Sequence, residues 1–236
     1  RMADEQGFDR SDIILSHQDL GRVEWANTKE LFIKQARHFG LYYQIVKRVD
    51  KNGVEETFLD YVRRRGYWPS SRERWCTSDY KRGPGMKVVT ALTKGMDDCK
   101  VLYVFGFRAD ESPARAKREP FSINSKLTTR KRIVHDFLPI HNWSSADVWK
   151  TIRENKLPYH FAYDLGMPRL SCVFCIFSPF DALVIAGKEN PELLDEYIEV
   201  EDEIGHLFRK DFSLHSVKEA IQNGYVPTKE IQDWVM

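Results

Sequence analysis

Hydrophobic positions along the chain alternate between short apolar runs and amphipathic stretches. Asp12 to His17 carries Ile13-Ile14-Leu15, a run that predicts a buried strand. A helix follows, with Asn27 and Glu30 in capping-box spacing, Leu31, Phe32, Ala36 and Phe39 on its apolar side, and Gly40 at its end. Tyr42 to Val46 predicts a second strand. Helical spacing returns near 56–65 and 85–94, each stopped by a glycine, Gly66 and Gly95. Val101 to Phe107 is the strongest strand signal in the chain, and Ile133 to Leu138 is a weaker one. Beyond residue 140 the pattern is helical: Ser144 with Asp147 caps one segment, Asn190-Pro191 opens another, and Ser216 with Glu219 precedes a last short one ended by Gly224.

Strands alternating with helices predict an α/β fold, a mostly parallel sheet with helices on both faces, followed by a helical C-terminal portion. The expected organisation is an α/β domain over 1–180 and a helical extension over 181–236. Ligands of such sheets bind beyond the carboxyl ends of the strands. The informative residues are therefore those after the first strand, His17 and Asp19, and after the strongest, Gly106, Arg108, Glu111, Ser112 and Arg115.

Composition narrows the class. Apolar residues make up 42% of the 236 and charged residues 30%, which excludes a disordered or collagen-like chain. No apolar run approaches the roughly 18–20 residues of a membrane-spanning helix, and Arg1 to Gly7 lacks the hydrophobic stretch of a secretory signal. Four cysteines are too few for a disulfide scaffold, so a reducing cytoplasm is the expected setting. The net charge of +1 conceals segregation: residues 47–132 hold 21 Lys and Arg against 11 Asp and Glu, a balance of +10, whereas 181–236 hold 5 against 13, a balance of −8. The basic middle suits an anionic partner such as a nucleotide or nucleic acid, unless it is only a solvated face.

Cys172-Val173-Phe174-Cys175 has the spacing of a metal or cluster ligand pair, and equally of a redox dithiol or two buried structural thiols. Cys76 sits among Arg72, Arg74 and Lys81, cations that favour a thiolate. Cys99, at the start of a strand, reads as a buried structural cysteine. Glycine at position 106 permits close approach of backbone to ligand, and Arg108 and Arg115 suit bidentate contacts to phosphate or sulfate, unless the loop is merely solvated.

Together these segments resemble the phosphoadenosine-phosphosulfate reductase family of the adenine nucleotide α-hydrolase, or PP-loop, group. Asp19-Leu20-Gly21 with Glu24-Trp25 follows the family's "DTG…PE" turn. Cys76 with Lys81 and Pro84 follows its "C…K..P" segment, and Gly106 to Arg115 its "G-x-R-x-x-(E/Q)-S-x-x-R" motif. Pro139 to Gly166 matches a further stretch. The glycine-rich phosphate loop that opens the family fold is not present. The chain is therefore expected to be incomplete at its N-terminus or impaired in turnover, with roughly 30–40 upstream residues needed for activity. The terminal cysteine motif of the assimilatory reductases is also missing.

The resemblance implies that Cys76, Cys172 and Cys175 hold a 4Fe–4S cluster with one iron lacking a protein ligand, as in sulfur-transfer members of the group, including the ATP pyrophosphatase of DNA phosphorothioation systems. It implies an adenine nucleotide substrate, ATP or phosphoadenosine phosphosulfate (PAPS), gripped by Arg108, Glu111, Ser112 and Arg115 with help from Lys81. His17 or Asp19 would orient the nucleotide or a Mg²⁺ ion. It implies a sulfur donor such as a cysteine desulfurase and DNA as an acceptor, and leaves the oligomeric state open. Three functions follow: ATP-dependent sulfur transfer to nucleic acid, reduction of PAPS to sulfite, and a non-catalytic module that binds nucleotide or partner protein.

Overall fold

The computed structural model describes residues 7–228, so the N-terminal segment read as lacking a secretory signal lies almost wholly outside the described residues. The chain forms two compact units, one made of residues up to 84 together with those from 159 onward, the other of residues 85–158. No helix among the described residues is long and apolar enough to cross a membrane.

In the first unit β1 (Ile14–Gln18) runs parallel to β2 (Tyr42–Val46), with Ile14 opposite Tyr42 and Gln18 opposite Val46. The connection between them is α1 (Thr28–Phe39), which Gly40 ends at φ 62° by donating its N–H to the carbonyls of Ala36 and Arg37. The capping box expected at Asn27 and Glu30 does not form. Asn27 takes the left-handed conformation, φ 65°, and its side chain caps nothing; Thr28 Oγ1 instead donates to the Trp25 carbonyl at 2.7 Å.

Next come α2 (Phe58–Arg65), capped by Thr57, and later α5 (Phe180–Glu189), α6 (Pro191–Ile204) and α7 (Leu214–Gln222). These helices share one core, in which Val62, Trp68, Leu183, Tyr197 and Leu214 are almost wholly buried. The helical segment beyond residue 180 is thus built into the same core as residues 20–80. The last helix starts at Ser213, not at Ser216 as the sequence suggested. The buried Glu201 carboxylate accepts the N–H of Leu214 at 2.8 Å and so fixes the start three residues earlier.

In the second unit the middle strand is β5 (Arg132–Phe137). It pairs in parallel with β3 (Cys99–Val104) and antiparallel with β4 (Phe121–Ile123). β4 has only three residues, too short for a periodic signal. The expected sheet thus appears as a two-stranded parallel sheet and a three-stranded mixed one. Val101 and Tyr103 alternate inward to meet α3 (Gly83–Leu92) through Met86 and Val89, alongside Val134 and Leu127. Leu102, Val104, Phe121, Ile123 and Ile133 remain exposed. The helix α4 (Ser145–Glu154) begins with the expected capping box: Ser144 Oγ accepts from the Asp147 N–H, and Asp147 accepts from the Ser144 N–H at 2.8 Å.

Candidate functional site

Cys76 lies in a helical turn, Trp75–Thr77, that runs into a π-helical turn, Ser78–Arg82. Such turns widen the helix by one residue and are frequent at functional sites. Here the turn is pinned on several sides. Trp75 stacks on Phe58 at 5.5 Å and meets the edge of Tyr61 at 5.0 Å. Tyr80 donates its hydroxyl to the Thr57 carbonyl at 2.8 Å, and Asp79 accepts from Tyr61 at 2.6 Å. The Arg48 guanidinium, paired with Glu56, lies 4.0 Å from the Tyr61 ring and 5.1 Å from the Tyr80 ring. Gly83 closes the turn so tightly that a Cβ there would sit 3.0 Å from the Ser78 carbonyl. Gly83→Ala should therefore destabilise the first unit by about 1–3 kcal/mol, the usual cost of overpacking, and shift Lys81; a thermal melt and the alkylation rate of Cys76 measure both effects.

The Cys172–Cys175 loop is tied to the segment after β1. Cys172 forms an isolated antiparallel bridge with Glu24, and Val173 donates its N–H to the Val23 carbonyl at 2.9 Å. Within the loop Ser178 donates its N–H to the Cys175 carbonyl at 2.9 Å, while Val173 and Phe174 are buried. This brings Cys172 and Cys175 into electrostatic range of Cys76 and Lys81, although 96 residues separate Cys76 from Cys172. Burial, and then the charge of Cys172, push the Cys76 thiol up; the same two causes push Cys175 up to about 12. The Cys172 charge raises the Lys81 ammonium against the opposing effect of burial, with Cys175, Glu24 and Cys76 contributing. Burial thus favours the neutral form of Cys76 and of Cys175 beside the Lys81 ammonium. Binding of a soft metal centre there would release the thiol protons.

Next to the bridge, His17 Nε2 lies 3.0 Å from Glu24 Oε2, and the His17 ring tilts over Phe32 at 5.2 Å. Asp19 Oδ1 accepts from the Gly21 N–H at 2.7 Å. One ligand atom from each of His17, Asp19 and Glu24 falls within 4.8 Å of the others, and among the described residues this is the group of three ligating side chains drawn that close. The three thiols do not all lie within that distance of one another. A single tetrahedral zinc, with Zn–S about 2.3 Å, would need sulfurs about 3.8 Å apart. A groove of about 650 Å³ opens here, lined among others by Asp19, Glu24, Asn27, Thr28, Lys47 and Asn190.

In the second unit, Gly106, Arg108, Glu111, Ser112 and Arg115 gather after β3 as expected, but mainly as partners of one another. Glu111 accepts the Arg108 N–H at 2.9 Å and pairs with the Arg115 guanidinium. Arg108 also binds Asp110 at 3.0 Å and Ser145 at 2.8 Å. Arg115 lies over Phe107, 4.6 Å from the ring centroid. Ser112 caps the one-turn helix Pro113–Ala116 by accepting the Arg115 N–H. At Gly106 a Cβ would meet only Ile140, at 3.8 Å, so packing alone does not demand glycine there. Cys99, expected to be buried, is half-buried at the start of β3.

The profile of the phosphoadenosine phosphosulfate reductase domain matches residues 17–177, about two thirds of the chain. The chain belongs to this family. Every site residue expected from the sequence, from His17 to Cys175, falls inside the family match. An uncharacterised protein of Methanocaldococcus jannaschii is 30% identical over 186 residues, covering 79% of this chain and 35% of that protein. The adenosine 5'-phosphosulfate reductase of Staphylococcus epidermidis is 23% identical over 155 residues, 64% of this chain and 61% of the enzyme. Among solved structures, the phosphate complex of phosphoadenylyl-sulfate (PAPS) reductase from Candida auris aligns with a TM-score of 0.44 at 21% identity, covering 68% of this chain and 69% of that one. The chain spans about a third to three fifths of the length of the curated relatives it matches. Two residues that sequence reasoning did not single out as site members belong beside the thiols of this reductase-family chain. Glu24 was read only as part of the "PE" pattern. Tyr197, deep in α6, carries no local signal at all.

Proposed function

We propose that this reductase-family chain carries out sulfur chemistry at Cys76, Cys172 and Cys175, as an ATP-dependent, pyrophosphate-releasing transfer of sulfur to a nucleic-acid phosphate. The observation that carries the reading is that three thiols lie within electrostatic range of one partly buried ammonium, Lys81. Three soft donors in partly apolar surroundings suit an iron–sulfur centre. When bound there, a 4Fe–4S cluster would supply one iron without a protein ligand, a position open to exogenous sulfide.

The chain's own groups have definable parts. Lys81 offsets the negative charge that three thiolates bring. Asp19 and Glu24 offer the oxygen ligands that Mg²⁺ prefers, with His17 beside them. Arg108 and Arg115 would take phosphate charge by exchanging their Asp110 and Glu111 partners for it. In the reaction a non-bridging oxygen of the acceptor phosphate attacks the α-phosphorus of ATP, and pyrophosphate leaves. Hydrosulfide then displaces AMP, which carries that oxygen away, so a P–O bond is exchanged for P–S without net oxidation. The +10 balance of residues 47–132 favours such an anionic acceptor.

A second reading, reduction of a sulfonucleotide to sulfite, is favoured by relatives that are themselves adenosine 5'-phosphosulfate reductases. Anaerobic assays separate the two. AMP, pyrophosphate and phosphorothioate formed from ATP, sulfide and DNA support the first; sulfite formed from a sulfonucleotide and a dithiol, with no pyrophosphate release from ATP, replaces it by the second. Neither product would mean a nucleotide- or partner-binding module.

A further inference from the structure

Six buried side-chain atoms of the first unit have no hydrogen-bond partner among the described residues: Nε1 of Trp25, Trp68 and Trp75, Nε of Arg65, Oγ of Ser178 and the hydroxyl of Tyr197. Native cores leave only a few such groups per hundred residues, and each asks for an explanation. These six belong to the unit whose core packs against Cys76 and Cys172.

Tyr197 is the most extreme. It is 0% exposed. Its ring stacks on Trp68 at 5.2 Å and lies 5.1 Å from Phe174, the residue between Val173 and Cys175. Burial resists its ionisation first, and the charges of Cys172, Cys175 and Cys76 add to that, so the phenol lies in electrostatic range of all three thiols. Phenylalanine would fill the same space without an orphaned hydroxyl. Ser178 is likewise 0% exposed and three residues past Cys175. Its N–H donates to the Cys175 carbonyl and its own carbonyl accepts from Arg209 at 2.8 Å, which leaves its hydroxyl over.

We propose that the Tyr197 hydroxyl, seconded by Ser178 Oγ, is a hydrogen-bond donor to the sulfur-rich anionic group held by Cys76, Cys172 and Cys175, which makes Tyr197 a positioning residue of the thiol site. This rests on the cluster reading above. Hydrogen bonds to the sulfurs of an iron–sulfur centre set its potential, and outer partners of metal ligands govern retention of the metal. A donor favours the more negatively charged, reduced form, so its loss lowers the midpoint potential.

The test uses the whole chain, reconstituted anaerobically with iron and sulfide, as wild type, Tyr197→Phe and Ser178→Ala. Tyr197→Phe should take up the same iron and sulfide, show a lower midpoint potential, and lose iron to a chelator roughly tenfold faster. The metal-free Tyr197→Phe protein should melt at the same or a higher temperature than metal-free wild type, because the hydroxyl has no partner in that state. An unchanged potential and release rate, or equal destabilisation of the loaded and metal-free forms, overturns the proposal. Ser178→Ala should shift the potential in the same direction; if Tyr197→Phe fails to fold, an unchanged potential in Ser178→Ala overturns it. A wild-type chain that takes up no iron and sulfide overturns the cluster reading, and this inference with it.

Discussion

Cys175→Ser should leave the protein without bound iron or acid-labile sulfide after anaerobic reconstitution, and Cys172→Ser should do the same. Serine replaces a soft thiolate with a hydroxyl that stays protonated at neutral pH, so a three-thiol centre loses a ligand and not merely an orienting contact. The expected fall in retention exceeds the roughly 10–100-fold that follows loss of an outer partner. Both cysteines are half-buried, and neither side chain supports a helix or strand. The far-ultraviolet dichroism of the metal-free variants should therefore match that of wild type. Cys99→Ser, a change in the other unit, should keep iron and sulfide. Retention of full iron and sulfide by Cys175→Ser would remove the loop from the centre.

The second large effect concerns Lys81. Lys81→Met keeps the aliphatic stem and removes the charge. The ammonium lowers the pKa of Cys76 and Cys175 against the burial that raises them. Without it both thiols move further up, and alkylation at pH 8 slows about tenfold for each unit of displacement. The rate profile should shift to higher pH. Stability follows the opposite limb. Lys81 has its folded pKa raised above 10.5, so its contribution is complete below that value and vanishes as pH rises through the folded pKa. Lys81→Met should therefore destabilise the chain near neutral pH, and progressively less as pH rises through the raised lysine pKa. An alkylation profile identical to wild type would place the ammonium out of reach of the thiols.

Much of this was readable in the residues. The apolar runs 13–15, 42–46 and 101–107 each mark a strand, the last ending at Val104, but none of the three strands is buried as expected: β1, β2 and β3 keep exposed positions, because a short apolar stretch also suits a strand covered on one face only. Gly40 and Gly66 ended helices in the left-handed conformation that favours glycine. The cysteines, Lys81 and the two arginines could be named from their side-chain chemistry and the motifs they stand in. What stayed hidden was tertiary. Nothing local says that Glu201 fixes the start of α7, that Glu111 occupies both arginines, or that a tyrosine midway along an ordinary amphipathic helix comes within electrostatic range of three thiols. The π-helical turn at 78–82 was equally silent. It depends on Phe58, Tyr61 and Arg48 converging from elsewhere in the chain, so periodicity, which predicts a helix only from about 85, gives no sign of it.

The most direct test of the thiol site is its metal content. Anaerobic reconstitution of the wild-type chain with ferrous iron and sulfide, followed by iron and acid-labile sulfide analysis and a Mössbauer spectrum, should give about four of each per chain, with absorption at about 400 nm. One iron in the spectrum should differ from the other three, since only three thiolates are on hand. Uptake of a single zinc ion with no sulfide, or no metal at all with all three thiols open to alkylation, would contradict the account.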